Sequence, residues 1–397
     1  MSGPTSLELQ SVSALGGDFW AKFDWNDGQN SFNVVEYGEM LHYDFVGSVK
    51  PEGARRSWLQ ALNNVGLMVQ IAEFEVSEGL FRRNLYVHED GILTDIGGFG
   101  GWMSCTGIND VGTVVGAGDP LGSNISRAFI YQDGIMTKLG TLGGDESRGG
   151  SINNAGTFVG SSQTEDGFWH AFVYEDGVMR DLGAPEDADF LYVQQINEAG
   201  TFVGYYQPTG QLGVRPFVCE NGVTRKLNTL GGLEGMALAI NDAGTIVGCS
   251  DDAEGRRWAV VYEGDEPRNI LGSIGGIADE AWGITSDGVI AGHGSVEEAG
   301  VVVQRGWVYN GALQKVVYGG GEYEALHAMN GVGQILGWAV FAESEELTEG
   351  FRGTLKTVAA PVPSHHSGRE PALAPGPLSV PGNPVGMARS TRPGFSE

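Results

Sequence analysis

The sequence predicts an all-β protein, a β-propeller of seven blades with four antiparallel strands each, from three observations. A unit of about 44 residues recurs along most of the chain. Each unit alternates β-branched or aromatic residues with polar ones around two tight-turn signals. No stretch has sustained helical periodicity. Four short strands in a unit of this length are typical of a propeller blade.

An Ile-Asn pair, or a variant of it, marks the end of the first strand in every unit. The seven pairs, spaced by 46, 44, 44, 44, 44 and 45 residues, are Leu62-Asn63, Ile108-Asn109, Ile152-Asn153, Ile196-Asn197, Ile240-Asn241, Ile284-Thr285 and Met329-Asn330. A turn containing glycine follows each pair, as in NDVG, NNAG and NDAG. These residues tolerate the backbone of a tight turn, and we expect the asparagine to cap it.

The second half of each unit is predicted to form a second hairpin. It reads RAFIYQDG, HAFVYEDG or RPFVCENG, and most units close on LGTLGG, LNTLGG or LGSIGG. Four strands alone leave both faces of their sheet exposed, whereas sheets stacked in a ring cover each other and remove most strand edges. A β-solenoid is the alternative, but its repeat is shorter and lacks two hairpins.

The blades are predicted to occupy residues 58–358, with a closing segment at 1–57 and a tail at 359–397. The last unit stops one strand short after GFRGTLKT, so an N-terminal strand should complete that blade. The candidates are SLELQSVSALGG and FNVVEYGEMLHYDFVG. If both segments supply blade strands, the ring has eight blades. Antiparallel blades need an even number of strands, and this requirement favours seven blades. The tail is rich in proline and is predicted to be disordered.

Composition restricts the partners and the compartment. The net charge is −27 and the pI is about 4.5, which argues against nucleic acids and anionic membranes as partners. The N-terminus has neither a basic region nor an apolar run, so we expect a cytoplasmic protein without membrane spans. Cys105, Cys219 and Cys249 lie among apolar or small residues and indicate core thiols rather than a disulfide framework.

The units resemble the HAF repeats of bacterial and fungal proteins, named after His-Ala-Phe, which is His170-Ala171-Phe172 in this chain. The resemblance covers roughly Trp58 to Leu355 and implies the propeller fold. Many proteins with these repeats carry secretion signals, and this chain shows none. In fold type, size and missing signal the chain is also similar to the hetero-Diels–Alderases of fungal tropolone–sesquiterpenoid pathways. That similarity implies a cycloaddition without a cofactor.

Residues that differ between units mark the candidate site, because residues shared by all units build the fold. The differing positions lie two and four residues before each Ile-Asn pair and just after the second strand. The expected substrate-binding residues are Trp58, Gln60, Tyr192, Gln194, Glu280, Trp282, His293 and Trp338. The expected catalytic hydrogen-bond donors are Arg148, His327 and Tyr205. Together they predict one aromatic-walled pocket for a small, largely apolar molecule at the channel mouth.

Each of these residues also has a purely structural interpretation. The tryptophans can pack between blades, the histidines can be satisfied core or rim residues, and Arg148 and Glu280 can be exposed surface charges. These interpretations differ in what they expect around the side chain: an open cavity, a filled core or solvent.

Two functions remain open from sequence. No phosphate loop, nucleophile elbow or zinc-ligand spacing is present, so no cofactor and no metal are expected. A cycloaddition suits such a chain, since it needs two reactants held face to face and one donor to a heteroatom. The alternative is a non-enzymatic ligand-binding or protein-interaction propeller, lectin-like or a scaffold. A lectin would repeat its sugar site in each blade, and an extracellular repeat protein would carry a signal.

Overall fold

The computed structural model describes residues 20–22, 33–35, 46–47, 50–89, 92–270, 279–298, 301–311, 313–316, 323–340 and 348–354. Their regular structure consists of thirty strands, β1 to β30 in chain order. Within these ranges no helix is long and apolar enough to cross a membrane. The predicted tail at 359–397 lies outside the described residues.

The N-terminal region contributes three short strands. They are β1 (Trp20–Lys22), β2 (Asn33–Val35) and β3 (Val46–Gly47). Strands β1 and β2 form a two-stranded antiparallel sheet. Most of the two candidate closing segments, including residues 36–45, lies outside the described residues.

Five antiparallel sheets of four strands follow, each built from consecutive strands of one unit. The first contains β4 (Arg56–Leu62), β5 (Met68–Ser77), β6 (Leu80–Glu89) and β7 (Ile92–Gly97). The second contains β8 (Gly100–Ile108), β9 (Val114–Pro120), β10 (Arg127–Gln132) and β11 (Ile135–Lys138). The third contains β12 (Gly143–Ile152), β13 (Phe158–Thr164), β14 (Trp169–Glu175) and β15 (Val178–Gly183).

The fourth and fifth sheets keep the same order. The fourth contains β16 (Ala188–Ile196), β17 (Phe202–Pro208), β18 (Arg215–Glu220) and β19 (Val223–Lys226). The fifth contains β20 (Gly231–Ile240), β21 (Ile246–Asp252), β22 (Arg257–Glu263) and β23 (Glu266–Asn269). The predicted all-β class and the repeated four-stranded antiparallel sheets are therefore confirmed.

The remaining strands form two units joined by one parallel bridge. They are β24 (Asp279–Ile284), β25 (Ile290–Glu298), β26 (Val301–Tyr309), β27 (Leu313–Val316), β28 (Tyr323–Met329), β29 (Gln334–Val340) and β30 (Thr348–Thr354). The bridge pairs Gln304 of β26 with Tyr323 of β28. Strand β30 pairs antiparallel with β3, and Val46 lies opposite Arg352.

The core lies between neighbouring sheets, where apolar side chains of one sheet meet the first strand of the next. Between the third and fourth sheets, Trp169 and Val173 pack with Leu191 and Val193. The three cysteines are free and buried, as predicted for core thiols. Burial raises the pKa of the Cys105 thiol to about 12, which keeps it protonated and unreactive.

The glycine of the second strand makes room for the aromatic residue of the third strand. This explains why the units repeat both residues. In the third sheet, a Cβ atom on Gly160 would lie 2.6 Å from the Phe172 ring and would overlap the carbonyl oxygen of Arg148. Gly116, Gly204 and Gly292 lie in the same way against Phe129, Phe217 and Trp307, which are fully buried. The Phe of the His-Ala-Phe triplet is therefore a packing residue.

We expect Gly204→Ala to lower the free energy of unfolding by roughly 1–3 kcal/mol, the scale for overpacking a core. Its added methyl group would overlap the carbonyl oxygen of Tyr192 on the neighbouring strand. Gly140→Ala is the control, because a Cβ there has nothing within 4 Å. Urea denaturation of both variants measures the difference, and equal stabilities would contradict this packing role.

The asparagines of the Ile-Asn pairs, which we call the asparagine column, each make a hydrogen bond within their own turn and another to the next sheet. In the second sheet, Asn109 Oδ1 accepts from the backbone N–H of Thr113 at 2.9 Å, which confirms the predicted cap. The Asn109 Nδ2 donates to the carbonyl of Asn153 in the next sheet at 3.2 Å. Asparagines that bridge in the same way are Asn63, Asn153, Asn197, Asn241 and Asn330. The bridge between sheets was not predicted from sequence.

The column departs from this pattern at Thr285, and at Asn330 it joins the last unit to the first. Thr285 replaces the asparagine and keeps only the cap, since its Oγ1 accepts from Val289 N at 2.8 Å. The backbone N–H of Ser286 donates instead to the carbonyl of Gly331 at 3.1 Å. The Asn330 Nδ2 donates to the carbonyl of Asn63 at 2.7 Å, so the last unit bonds to the first.

Candidate functional site

A β-bulge recurs at one position in the first strand of all seven units. The pairing register with the second strand shifts there, between Leu59 and Ala61 in the first unit and between Cys105 and Gly107 in the second. The residues left out of register are Gln60, Thr106, Gly150, Gln194, Leu238, Trp282 and His327. A bulge redirects a side chain away from the regular pleat. Each of these residues stands two positions before the first residue of its Ile-Asn pair, at one of the positions that differ between units.

The bulge residues line a channel with a volume of about 270 Å³. Six of the seven bulge residues line it, namely Gln60, Thr106, Gln194, Leu238, Trp282 and His327. The asparagine turns of the units line it further along. Four of the eleven predicted site residues, namely Gln60, Gln194, Trp282 and His327, therefore border one space.

A second cavity, of about 440 Å³, opens beside the first sheet. We call it the Trp58 cleft, and its described lining consists of Arg56, Ser57, Trp58, Leu59, Gln60, Arg83 and His327. It shares Gln60 and His327 with the channel. The cleft has the volume of a small-molecule site, with one aromatic wall and a few polar groups.

Two arginines of the cleft share one buried carboxylate. Arg56 Nε lies 2.8 Å from Glu73 Oε1, and Arg83 Nε lies 3.0 Å from Glu73 Oε2. Only 3% of the Glu73 side chain is exposed. Burial alone would raise the pKa of this carboxyl group, but the hydrogen bonds from both arginines outweigh it and lower the pKa. Glu73 is therefore ionised, and it orients both guanidinium groups.

The same arginines flank Trp58. The guanidinium carbons of Arg56 and Arg83 lie 5.5 and 5.2 Å from the centre of its ring, within the range of cation–π attraction. Sequence reasoning selected Trp58 but missed both arginines. The available signal was the occurrence of two Arg-Arg dipeptides in the first unit, at 55–56 and 82–83.

His327 and Gln60, which border both cavities, differ in their hydrogen bonds. Gln60 Oε1 accepts from the backbone N–H of Cys105 at 2.8 Å, so it fixes the neighbouring sheet. Burial lowers the pKa of His327 to about 4, which makes its ring neutral at pH 7. The Nδ1 atom of His327 is buried and has no hydrogen-bond partner within the described part of the chain. A buried polar atom in this state is incomplete without a ligand or water.

Glu280, Trp282 and His293 form a second cluster. Trp282 Nε1 donates to Glu280 Oε2 at 3.1 Å, and the Trp282 and His293 rings stack 5.9 Å apart. Glu280 also pairs with Arg257 at 3.0 Å, and its side chain is only 16% exposed. The interpretation of Glu280 as an exposed surface charge is therefore wrong. The His293 Nδ1 lies 2.8 Å from the carbonyl oxygen of Leu326.

Arg148, Tyr192 and Tyr205 form a third cluster. Arg148 Nη1 donates to the Tyr192 hydroxyl at 2.9 Å, and Nη2 donates to Glu146 at 3.2 Å. The Tyr192 and Tyr205 rings are 5.1 Å apart. Burial raises the pKa of Tyr205 to about 12, so its hydroxyl stays protonated. These contacts hold Arg148 against aromatic rings rather than in solvent.

The predicted residues thus divide into two groups. Trp58, Gln60, Gln194, Trp282 and His327 line the two cavities. The others with described side chains line neither of these two cavities: Arg148, Tyr192, Tyr205, Glu280 and His293. Of these, Glu280 supports the channel wall through its hydrogen bond with Trp282. Trp338 lies in β29 opposite Ala325 and Gly350, and its side chain lies outside the described residues.

No metal centre stands out in the ranges that the structure covers. Among those residues, no three His, Cys, Asp or Glu side chains are grouped so as to hold an ion.

Comparisons with solved structures define the class of fold. The β-propeller domain of the trilobed protease from Pyrococcus furiosus, described as having an open velcro topology, is 11% identical with a TM-score of 0.55. The alignment covers 75% of this chain and 95% of that chain. The acylaminoacyl peptidase of Pyrococcus horikoshii is 13% identical with a TM-score of 0.49, covering 72% of this chain and 50% of that one.

The likeness to the trilobed protease domain is too distant in sequence to inform on activity and shows the fold alone. The chain is a β-propeller, as its repeats predicted. No protein-family model matches the chain, and no curated protein matches it in sequence.

Proposed function

We propose that the propeller has seven blades and that β3 supplies the fourth strand of the last one. Seven Ile-Asn pairs or variants support this number. The hydrogen bond from Asn330 to Asn63 supports contact between the last and first blades, and the β3–β30 pairing supports closure by the N-terminal segment. The eight-bladed alternative would need β1 and β2 to belong to a further four-stranded blade.

We propose that this propeller is a cofactor-independent cyclase that catalyses an intermolecular hetero-Diels–Alder cycloaddition in secondary-metabolite biosynthesis. The observation that carries the proposal is the Trp58 cleft, which shares Gln60 and His327 with the channel. The resemblance to HAF-repeat proteins and to the fungal hetero-Diels–Alderases supports the reaction type. The substrate would be a small, largely apolar pair of reactants.

The proposed cycloaddition requires that the protein position the two reactants and form one hydrogen bond to a reacting heteroatom. In a cycloaddition, π electrons of diene and dienophile form two σ bonds, and no proton or hydride leaves the reactants. The Trp58 ring offers a flat surface on which a planar reactant stacks, which converts an encounter of two molecules into a reaction of neighbours. The neutral His327, which borders both cavities, would hydrogen-bond to the reacting heteroatom and stabilise the charge that develops on it.

The structure-based roles of the other predicted donors differ from the sequence-based ones. Arg148 donates to Glu146 and Tyr192, so we assign it and Tyr205 to positioning the channel wall. Trp282 and Gln194 would contact the part of the substrate that reaches into the channel.

The test is an assay with an ortho-quinone methide and a polyene, following product formation by chromatography. We expect His327→Phe to lower kcat by about 10², the scale for losing one hydrogen bond to developing charge. Trp58→Ala should raise KM and lower kcat, whereas Arg82→Gln, outside the cleft, should change neither. Activity should persist in EDTA, since the proposed steps use no metal. Full activity of His327→Phe and Trp58→Ala, or none in the wild type, would contradict the proposal.

The second candidate is a ligand-binding propeller without catalysis. It is favoured by the ion pairs of Arg148 with Glu146 and of Arg257 with Asp251 and Glu280, which already engage these strong hydrogen-bond donors. The two functions are distinguished by turnover. A binding protein would take up the reactants with one-to-one stoichiometry and leave the product yield per protein at or below one.

A further inference from the structure

The Trp58 cleft carries positive charge in a strongly acidic chain. Arg56 and Arg83 line it, and none of its described lining residues is Asp or Glu. The carboxylate of Glu73 lies behind them and neutralises only one of the two guanidinium groups. His327 adds no charge at pH 7. The cleft therefore keeps about one positive charge, while the chain as a whole carries −27.

The arginines keep hydrogen-bond donors for a ligand. Arg56 engages Glu73 through Nε and Nη2, and Arg83 does so through Nε. Within the described residues, these side-chain bonds leave Nη1 of Arg56 and both Nη groups of Arg83. A guanidinium group has five N–H donors in a planar fork, and such a fork suits carboxylate oxygens. The Arg83 side chain is 21% exposed, so a bond to it would be partly shielded from water.

Trp58 defines the shape of the ligand. The centre of its ring lies 5.5 and 5.2 Å from the guanidinium carbons of Arg56 and Arg83. A flat ligand that stacks on this ring brings a substituent at its edge close to the guanidinium groups. Shape and charge thus select the same class of molecule.

We propose that the Trp58 cleft binds a planar aromatic ligand through a carboxylate, held by Arg83 and Arg56. This inference rests on the proposed function in that it takes the same cleft as the reactant site, and it adds that one reactant is an anion. Glu73 sets the orientation of both arginines and limits the affinity, since it competes for their charge.

The test compares 1-naphthoate with the neutral 1-naphthamide by isothermal titration calorimetry on the full chain. We expect naphthoate to bind at least about tenfold more tightly, a difference of about 1.4 kcal/mol. The preference should fall in Arg83→Gln and in Arg56→Gln. It should be kept in Arg83→Lys, which retains the charge, and in the control Arg82→Gln, whose guanidinium group lies over Phe74. It should also weaken with salt.

Glu73→Gln provides a second, independent measurement. It removes the competing carboxylate, so naphthoate affinity should rise severalfold even though the fold is weakened. Equal affinities for naphthoate and naphthamide, or a preference that survives both Arg83→Gln and Arg56→Gln, would overturn the proposal. Those results leave the cyclase assay with neutral reactants unaffected. Conversely, selective naphthoate binding without any turnover would refute the proposed cyclase and retain the anion site.

Discussion

Glu73→Gln is expected to lower the free energy of unfolding by about 3 kcal/mol, the lower end of the range for breaking a buried ion pair. The Glu73 carboxylate is 3% exposed and accepts from two arginines, so glutamine leaves both guanidinium groups uncompensated beside each other. We choose the lower end because 53% of the Arg56 side chain is exposed and can be rehydrated.

The same substitution should change the pH dependence of stability. The pKa of Glu73 lies below its ordinary value of 4.5 in the folded chain, so the folded state binds the proton less tightly than the unfolded one. Its contribution is fully present above about pH 4.5 and disappears as the pH falls through the folded pKa. Glu73→Gln should therefore lose less stability on acidification than the wild type.

Urea denaturation between pH 3 and 7 measures both effects. Glu75→Gln is the matched control, because Glu75 lies two residues further on the same strand with an exposed side chain. It should alter stability by no more than about 0.5 kcal/mol. If Glu73→Gln were as stable as this control at pH 7, the ion-pair network would not hold the cleft.

The fold can be predicted well from the sequence because the same residue pattern recurs in every unit. Each Ile-Asn pair and each aromatic residue after the second turn specifies a local hairpin, and seven copies make the period unambiguous. The contact of Gly160 with Phe172 shows why: both residues belong to neighbouring strands of one unit, so the constraint acts over a short sequence distance.

The candidate site was predicted only in part, because its contacts join distant residues. The column containing Gln60 and His327 could be found as a departure from the repeat. The bulge that turns these side chains into the channel could not, since a bulge is defined by the opposing strand. Likewise, nothing in the sequence pairs Arg83 with Glu73 and Arg56, or shows that Glu146 and Tyr192 engage Arg148.

The second large loss of stability is expected on replacing an asparagine of the asparagine column. Asn197→Ala is expected to lower the free energy of unfolding by about 2–4 kcal/mol, since it leaves one buried and one partly buried backbone group without partners. Asn197 is 5% exposed. Its Oδ1 accepts from Thr201 N at 2.9 Å within its own turn, and its Nδ2 donates to the Asn241 carbonyl of the next sheet at 3.1 Å.

The chain itself provides the variant that separates these two bonds. At the equivalent position of the sixth unit, Thr285 keeps the cap through its hydroxyl and lacks the amide that bridges to the next sheet. Asn197→Thr should therefore restore the bond to Thr201 but not the one to Asn241, and we expect it to cost about half as much as Asn197→Ala. Urea denaturation of both variants gives the two contributions. A threonine variant as unstable as the alanine variant would mean that the cap contributes nothing, and an alanine variant as stable as the wild type would mean that neither bond holds the sheets together.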